Sequence, residues 1–358
     1  MAITLNQHKQ AITSRIIATF SDASKPKMGL SGFFPTVTTS DREVGIEIER
    51  NRQLVAVDVQ RGTDANMNTF NNYSEKLYEP PMYLEGFDFA SLDRYNVTFG
   101  SRNNPSASDA FNMIDQANKK LDILQSKIER AIELQRSQAL QTGIVTLKNG
   151  ENIDYKRKAE SLTVLGGTNV WSNAASKPLT DLENGCKFLR QEGLSSGNVI
   201  NVVFGRDAFR EFMNNAQIKE KAEIRRIDRL SLGFPQLNNV TGLSYHGQVS
   251  VYDFVLNIWT YSDFYELGSG VKKNYIDEKN VVMIAEDFTA KTAFAGVPAI
   301  MRDKSNAEYP EFIQQMEAEF YINNYVDPTK KAHMFDIASA PLAVPVSIDR
   351  VVTIQVLT

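Results

Sequence analysis

Cysteine and histidine are scarce in this chain, and each scarcity removes a class of explanation. One cysteine among 358 residues, Cys186, excludes an internal disulfide, and with no second thiol it reads as a small buried hydrophobe. The histidines, His8, His246 and His333, lie far apart with no second histidine or cysteine at ligand spacing, so no metal site is expected. Nowhere do about 18 apolar residues run together, and no apolar core of signal-peptide type opens the chain; neither membrane insertion nor export is indicated, and a soluble chain made in a cytoplasm is expected. Residues 1–21 carry Lys9 and Arg15 and no acid, which superficially resembles a transit peptide, but a mobile N-terminal arm is the simpler account. A large excess of either charge is also missing. The 39 Lys and Arg against 43 Asp and Glu leave a net −4, which disfavours a dedicated nucleic-acid binder.

Motifs for chemistry fail on context. Gly193-Leu194-Ser195-Ser196-Gly197 matches the G-x-S-x-G pattern of a hydrolase nucleophile, whose serine must follow a strand and precede a helix. Here the order is inverted: a helical stretch precedes it and the apolar run from Val199 follows, so a helix-to-strand turn is the better reading. A serine hydrolase using Ser195 stays as the enzyme alternative. Gly268-Ser269-Gly270 lacks the third glycine and the strand-to-helix setting of a nucleotide cradle, and no cofactor is expected. Glu47 and Glu49 share a strand face, where exposed carboxylates two apart serve solvation more often than acid/base work.

What the chain does have is apolar surface out of place. In Arg52-Gln53-Leu54-Val55-Ala56-Val57-Asp58-Val59-Gln60-Arg61-Gly62, the period of two puts Val55, Val57 and Val59 on one apolar face of a strand. An asparagine-rich tip through Asn72 follows, and an apolar, aromatic limb resumes at Leu77-Tyr78. Two limbs and a long tip describe a hairpin reaching away from its own chain. A lone hairpin is marginal in water, and an exposed apolar strand invites a partner.

Beyond it, Phe111, Ile114, Ala117, Leu121, Leu124, Ile128, Ala131 and Ile132 recur at three and four, predicting a helix over 107–141 that Thr142-Gly143 ends. At 1.5 Å per residue it is a beam roughly 50 Å long with one apolar stripe. Strands at 144–147 and 153–155 around Asn149-Gly150 predict a hairpin, and Gly166-Gly167-Thr168 a joint. Then come a helix over 178–192, a buried strand over 199–204 and a short helix over 206–214. A charged helix is expected over 218–230, with Lys219, Lys221, Arg225, Arg226 and Arg229 interrupted by Glu220, Glu223 and Asp228. That basic run suits either a solvated or salt-bridged subunit contact or nonspecific phosphate contact. A second hairpin is expected with its turn at His246-Gly247-Gln248, then strands over 280–284 and 350–357.

Several strings, in this order, resemble the major capsid proteins of tailed double-stranded DNA phages, in particular the lambda head protein E family. They are Val59-Gln60-Arg61-Gly62, Tyr78-Glu79-Pro80-Pro81, Lys219-Glu220-Lys221 with Arg225-Arg226, Gly270-Val271-Lys272-Lys273-Asn274-Tyr275, Tyr309-Pro310, Val326-Asp327-Pro328 and Ser339-Ala340-Pro341-Leu342. The likeness runs from about Phe34 to Thr358; each string is weak alone, and their common order carries it.

The resemblance implies an α+β chain with the Hong Kong 97-type capsid fold: an N-terminal arm (1–43), an extended loop region (44–101), a peripheral domain with spine helix and hairpin (102–165), an axial domain (166–318) and closing peripheral strands (319–358). It implies a subunit contact through Val55, Val57, Val59, Arg61, Asp64, Lys76 and Tyr78. It implies pentamers and hexamers assembling in the bacterial cytoplasm around a separate scaffolding protein, then a shell with a portal at one vertex and packaged DNA inside. An encapsulin-like compartment shares the fold and is the alternative shell. The tip, crowded with Asn66, Asn68, Asn71 and Asn72, departs from the family pattern and leaves a decoration protein open. Crosslinking through Lys76 would need a buried carboxylate and fixed cross-subunit geometry, and the sequence shows neither.

Overall fold

The computed structural model describes residues 27–49, 73–90, 108–147, 151–223, 230–237, 240–302, 311–327 and 332–358. Its centre is a mixed seven-stranded sheet in the order Leu230–Leu237, Leu243–Val251, Phe254–Tyr261, Val199–Phe204, Asn280–Ala285, Val351–Gln355, Leu162–Val164. The apolar run Val199–Phe204 becomes an interior strand because both its faces are covered. On one face, Ile200, Val202, Leu256, Ile258, Val281 and Met283 pack against Leu182, Cys186, Leu189 and Phe212 of the helices Pro178–Gln191 and Arg206–Asn214. On the other, Val203, Val282, Ile284 and Val351 join Ala139 and Leu140 of the long helix, with Leu30, Phe34, Val145, Ile153 and Tyr155.

The long helix spans Ser108–Gln141. Ala117, Leu121, Ile128 and Ile132 are buried along one stripe, as their spacing requires. Its far half lies on a three-stranded sheet ordered Tyr321–Asp327, Ala332–Ser339, Tyr83–Ala90, through Phe335, Ile337, Tyr83 and Phe87. It stops where expected: the Gly143 N–H reaches back to the Gln138 and Ala139 carbonyls, and Gly143 takes φ +71. The short hairpin pairs Ile144–Thr146 with Asn152–Asp154; its Asn149-Gly150 turn lies outside the described residues.

Two expectations need correction. The helix begun at 216 ends, as described, at Glu223, and Leu230 already belongs to a strand, so 218–230 is not one helix. The second hairpin turns at Tyr252-Asp253, not at His246-Gly247-Gln248. Tyr245 faces Trp259 and Gly247 faces Ile258, leaving His246 as the extra residue of a bulge inside the strand Leu243–Val251. Of the closing strands, Tyr321–Asp327 and Ala332–Ser339 lie in the small sheet under the helix, and Val351–Gln355 lies in the seven-stranded sheet.

Candidate subunit interface

The base of the hairpin is rooted in the core. Val44–Glu49 pairs antiparallel with Tyr73–Tyr78, from Val44 opposite Tyr78 to Glu49 opposite Tyr73, and residues 50–72 connect the two strands. Val44 is buried and Tyr78 packs half-buried beside it in the central cluster, whereas Leu77, on the alternate face, is 59% exposed. Lys76 sits opposite Ile46 in register. Val55, Val57, Val59, Arg61 and Asp64 lie outside the described residues. Where the returning strand leaves the hairpin, Arg42 pairs with Glu79 at 2.8 Å with both side chains largely in solvent, a contact that adds little.

The same limb continues as Tyr83–Ala90, an outer strand of the small sheet. Its alternation is clear: Tyr83, Glu85 and Phe87 turn to the long helix, and Leu84 points away at 55% exposure, with Met82 just before it at 47%. Phe87 stacks on Phe335 at 5.4 Å, Lys120 sits over the Phe87 ring, Lys127 pairs with Glu85 at 2.7 Å, and Gln135 donates to the Tyr83 hydroxyl at 3.0 Å. On the helix's solvent side, Ile123 is 64% exposed between Lys119 and Lys127. Leu77, Met82, Leu84 and Ile123 are uncovered apolar positions; the first three belong to the apolar limb expected from the sequence, and Ile123 was not among the expected sites. The signal was present, since Ile123 breaks the polar face of an otherwise amphipathic helix.

Beneath this surface a buried polar knot holds the segment 29–38. Glu133, fully buried, accepts from the Leu30 N–H at 2.6 Å, the Tyr261 hydroxyl at 2.8 Å and Arg136 Nη1 at 3.1 Å. Arg136 also donates through Nε and Nη2 to Thr292 Oγ1, which donates to the Phe34 carbonyl. Burial pushes the Glu133 carboxyl up, opposed by Arg136 and the three donors. Tyr261, carrying the shared proton, is pushed up by burial and by that carboxylate.

Of the basic segment, Lys219 is exposed on the helix Ala216–Glu223 and Lys221 lies on the same helix, while Arg225, Arg226 and Arg229 fall outside the described residues. Ser195 stands on a helix-to-strand turn, as its context requires. It is buried, its hydroxyl donates to Asp287 Oδ1 at 2.8 Å, and the Ser196 N–H donates to Asp287 Oδ2 at 3.1 Å. No group of three His, Cys, Asp or Glu that could hold a metal occurs among the described residues, and no described helix is long and apolar enough to cross a membrane.

A core-rooted hairpin base, a beam helix and apolar positions left in solvent are what a subunit of an assembly would present. The model of the phage major capsid protein E family matches residues 13–356, and the chain belongs to that family. Two solved structures share its fold. One is the protein assigned as the capsid protein of a prophage in Escherichia coli CFT073, at 16% identity and TM-score 0.63, covering 96% of this chain and 98% of that one. The other is a phage-related protein from Bordetella bronchiseptica RB50, at 10% identity and TM-score 0.54, covering 96% of each chain. No curated protein matches. The α+β arrangement is the Hong Kong 97-type capsid fold, and the protein is a bacteriophage capsid subunit. The family is one of structural proteins that associate with copies of themselves.

Proposed function

We propose that each copy lays its hairpin over an adjacent copy, with Val55, Val57 and Val59 against that copy's exposed apolar surface and Arg61, Asp64 and Lys76 in polar contacts at the margin. Tyr78 is then the anchor at the root. The observation that carries this reading is the register of the hairpin base: its strands are fixed by Val44 and Tyr78 in the core while Leu77 stays in solvent. Burying three valines removes on the order of 300 Å² of apolar surface, worth roughly 7 kcal/mol before ordering costs. Summed over a closed lattice, such contacts give a shell whose resistance is kinetic as much as thermodynamic.

The same reading assigns pentamers and hexamers of an icosahedral shell, assembled in the host cytoplasm around a scaffolding protein, with a portal at one vertex and DNA inside. It divides the chain into arm (1–43), extended loop (44–101), peripheral (102–165 and 319–358) and axial (166–318) parts. The exposed Lys219 and its basic neighbours face either DNA or an adjacent copy, and the asparagine-rich tip is where a decoration protein would sit. The family match favours a genome over an enzyme as cargo, against an encapsulin-like compartment. Val57→Asp tests the contact: shell formation, followed by electron microscopy and sedimentation, should be lost while the subunit remains soluble and folded. Normal shells from that variant overturn the contact.

A further inference from the structure

We infer that neighbouring copies also join edge to edge through the seven-stranded sheet, Leu162–Val164 of one copy pairing in parallel with Leu230–Leu232 of the next. This rests on self-assembly but not on the hairpin contact.

The sheet has two outer strands, Leu162–Val164 at one end and Leu230–Leu237 at the other, and among the described residues neither has a second strand beside it. Their directions can be followed across the sheet. Leu162–Val164 runs parallel to Val351–Gln355, which is antiparallel to Asn280–Ala285, itself antiparallel to Val199–Phe204. Val199–Phe204 is parallel to Phe254–Tyr261, and two further antiparallel steps reach Leu230–Leu237. Both edges therefore run the same way. A head-to-tail rotation sets the first edge of one copy against the second edge of the next in parallel, and repeated rotation closes a ring.

The lengths agree as well. Pro235 has no N–H to give, and the register of Leu230–Leu237 shifts between Leu232 and Gln236, so the regular run before the irregularity is the three residues Leu230–Leu232. The opposite edge is itself three residues.

Its backbone is open in the required direction. The Leu165 N–H donates inward to the Gln355 carbonyl, and backbone groups alternate along a parallel strand, so those of Leu162 and Val164 face outward. All three side chains are exposed, Val164 to 71%, and the strand carries no lysine, proline or bulge of the kind that blunts an edge. Past it, a Cβ added to Gly166 or Gly167 would meet nothing within 4 Å, so a second chain can come alongside.

The test places Thr163→Cys and Ser231→Cys together in a chain whose Cys186 is replaced by alanine, assembles shells, and applies a short bifunctional thiol reagent. Paired strands lie about 4.8 Å apart, so a denaturing gel should show a ladder of linked chains ending at five and six, with each single variant staying monomeric. Intact shells that yield no ladder overturn the edge pairing and leave the hairpin contact standing; an unsubstituted chain that forms no shells removes both. A second variant, Val164→Pro, deletes an outward N–H and no inner ladder bond. It should keep the parent's circular dichroism and unfolding midpoint while its capsomer yield drops at least tenfold, and an unchanged yield counts against the pairing.

Discussion

Three buried or half-buried charges decide how separate parts of the chain are tied. Glu133 joins the long helix to Leu30 and Tyr261, and Glu133→Ala would leave the buried Arg136 charge without its carboxylate and the Leu30 N–H and Tyr261 hydroxyl without an acceptor. Breaking a buried pair from one side costs about 3–5 kcal/mol; urea titration of the unassembled subunit should show a loss of that size, with Glu133→Gln milder. Arg157 ties the helix end to the sheet, donating to the Leu140 carbonyl at 2.6 Å and the Val351 carbonyl at 2.9 Å; burial lowers its pKa to about 9. Asp287 is pulled both ways: burial raises its carboxyl, but the Ser195 hydroxyl, the Ser196 N–H and Arg350 win and hold it below its ordinary 3.8. A depressed carboxyl contributes stability that is present above the unfolded value and lost as pH falls through the folded one. The acid-unfolding curve of Asp287→Asn should therefore lack that component below about pH 4. Cys186, pushed up to about 12 by burial and then by Glu183, should react with a thiol reagent only on unfolding.

The long helix separates the two kinds of apolar residue it carries. Ile128→Ala opens space in a filled stripe and should cost about 2–4 kcal/mol, whereas Ile123→Ala should fall within about 0.5 kcal/mol in the free subunit, both read from thermal midpoints. Gly143→Ala should cost about 1–2 kcal/mol, because φ is +71 there and a Cβ would lie 2.8 Å from that of Arg157. Helix limits and buried strands were legible because periodicity and punctuation agree: one apolar stripe closed by a glycine, and one unbroken apolar run at Val199–Phe204. The second hairpin was misread because its turn lacks the usual chemistry. Tyr252 takes φ +51 with no glycine to announce it, while Gly247, at φ 134, belongs to a bulge. The basic helix was expected as far as Leu230 because charged residues run on to Arg229, whereas Leu230 opens a strand.

At the scale of the molecule, the family was legible where short strings kept their order, and the apolar hairpin was legible as surplus surface. Ile123 was not legible in the same way, since a lone apolar residue on a surface is ordinary until its neighbours are placed. Nor could the sequence reveal that the sheet is assembled out of order. Val351–Gln355 lies between Asn280–Ala285 and Leu162–Val164, so it is an inner strand of a sheet whose other members precede it. A polypeptide still being synthesised lacks this strand until residue 355 has left the ribosome, and Leu162–Val164 has nothing to dock on before then. Chains stopped before Val351 should be degraded or form inclusion bodies. The outer strand Leu162–Val164 should therefore be held in place only once translation has passed residue 355.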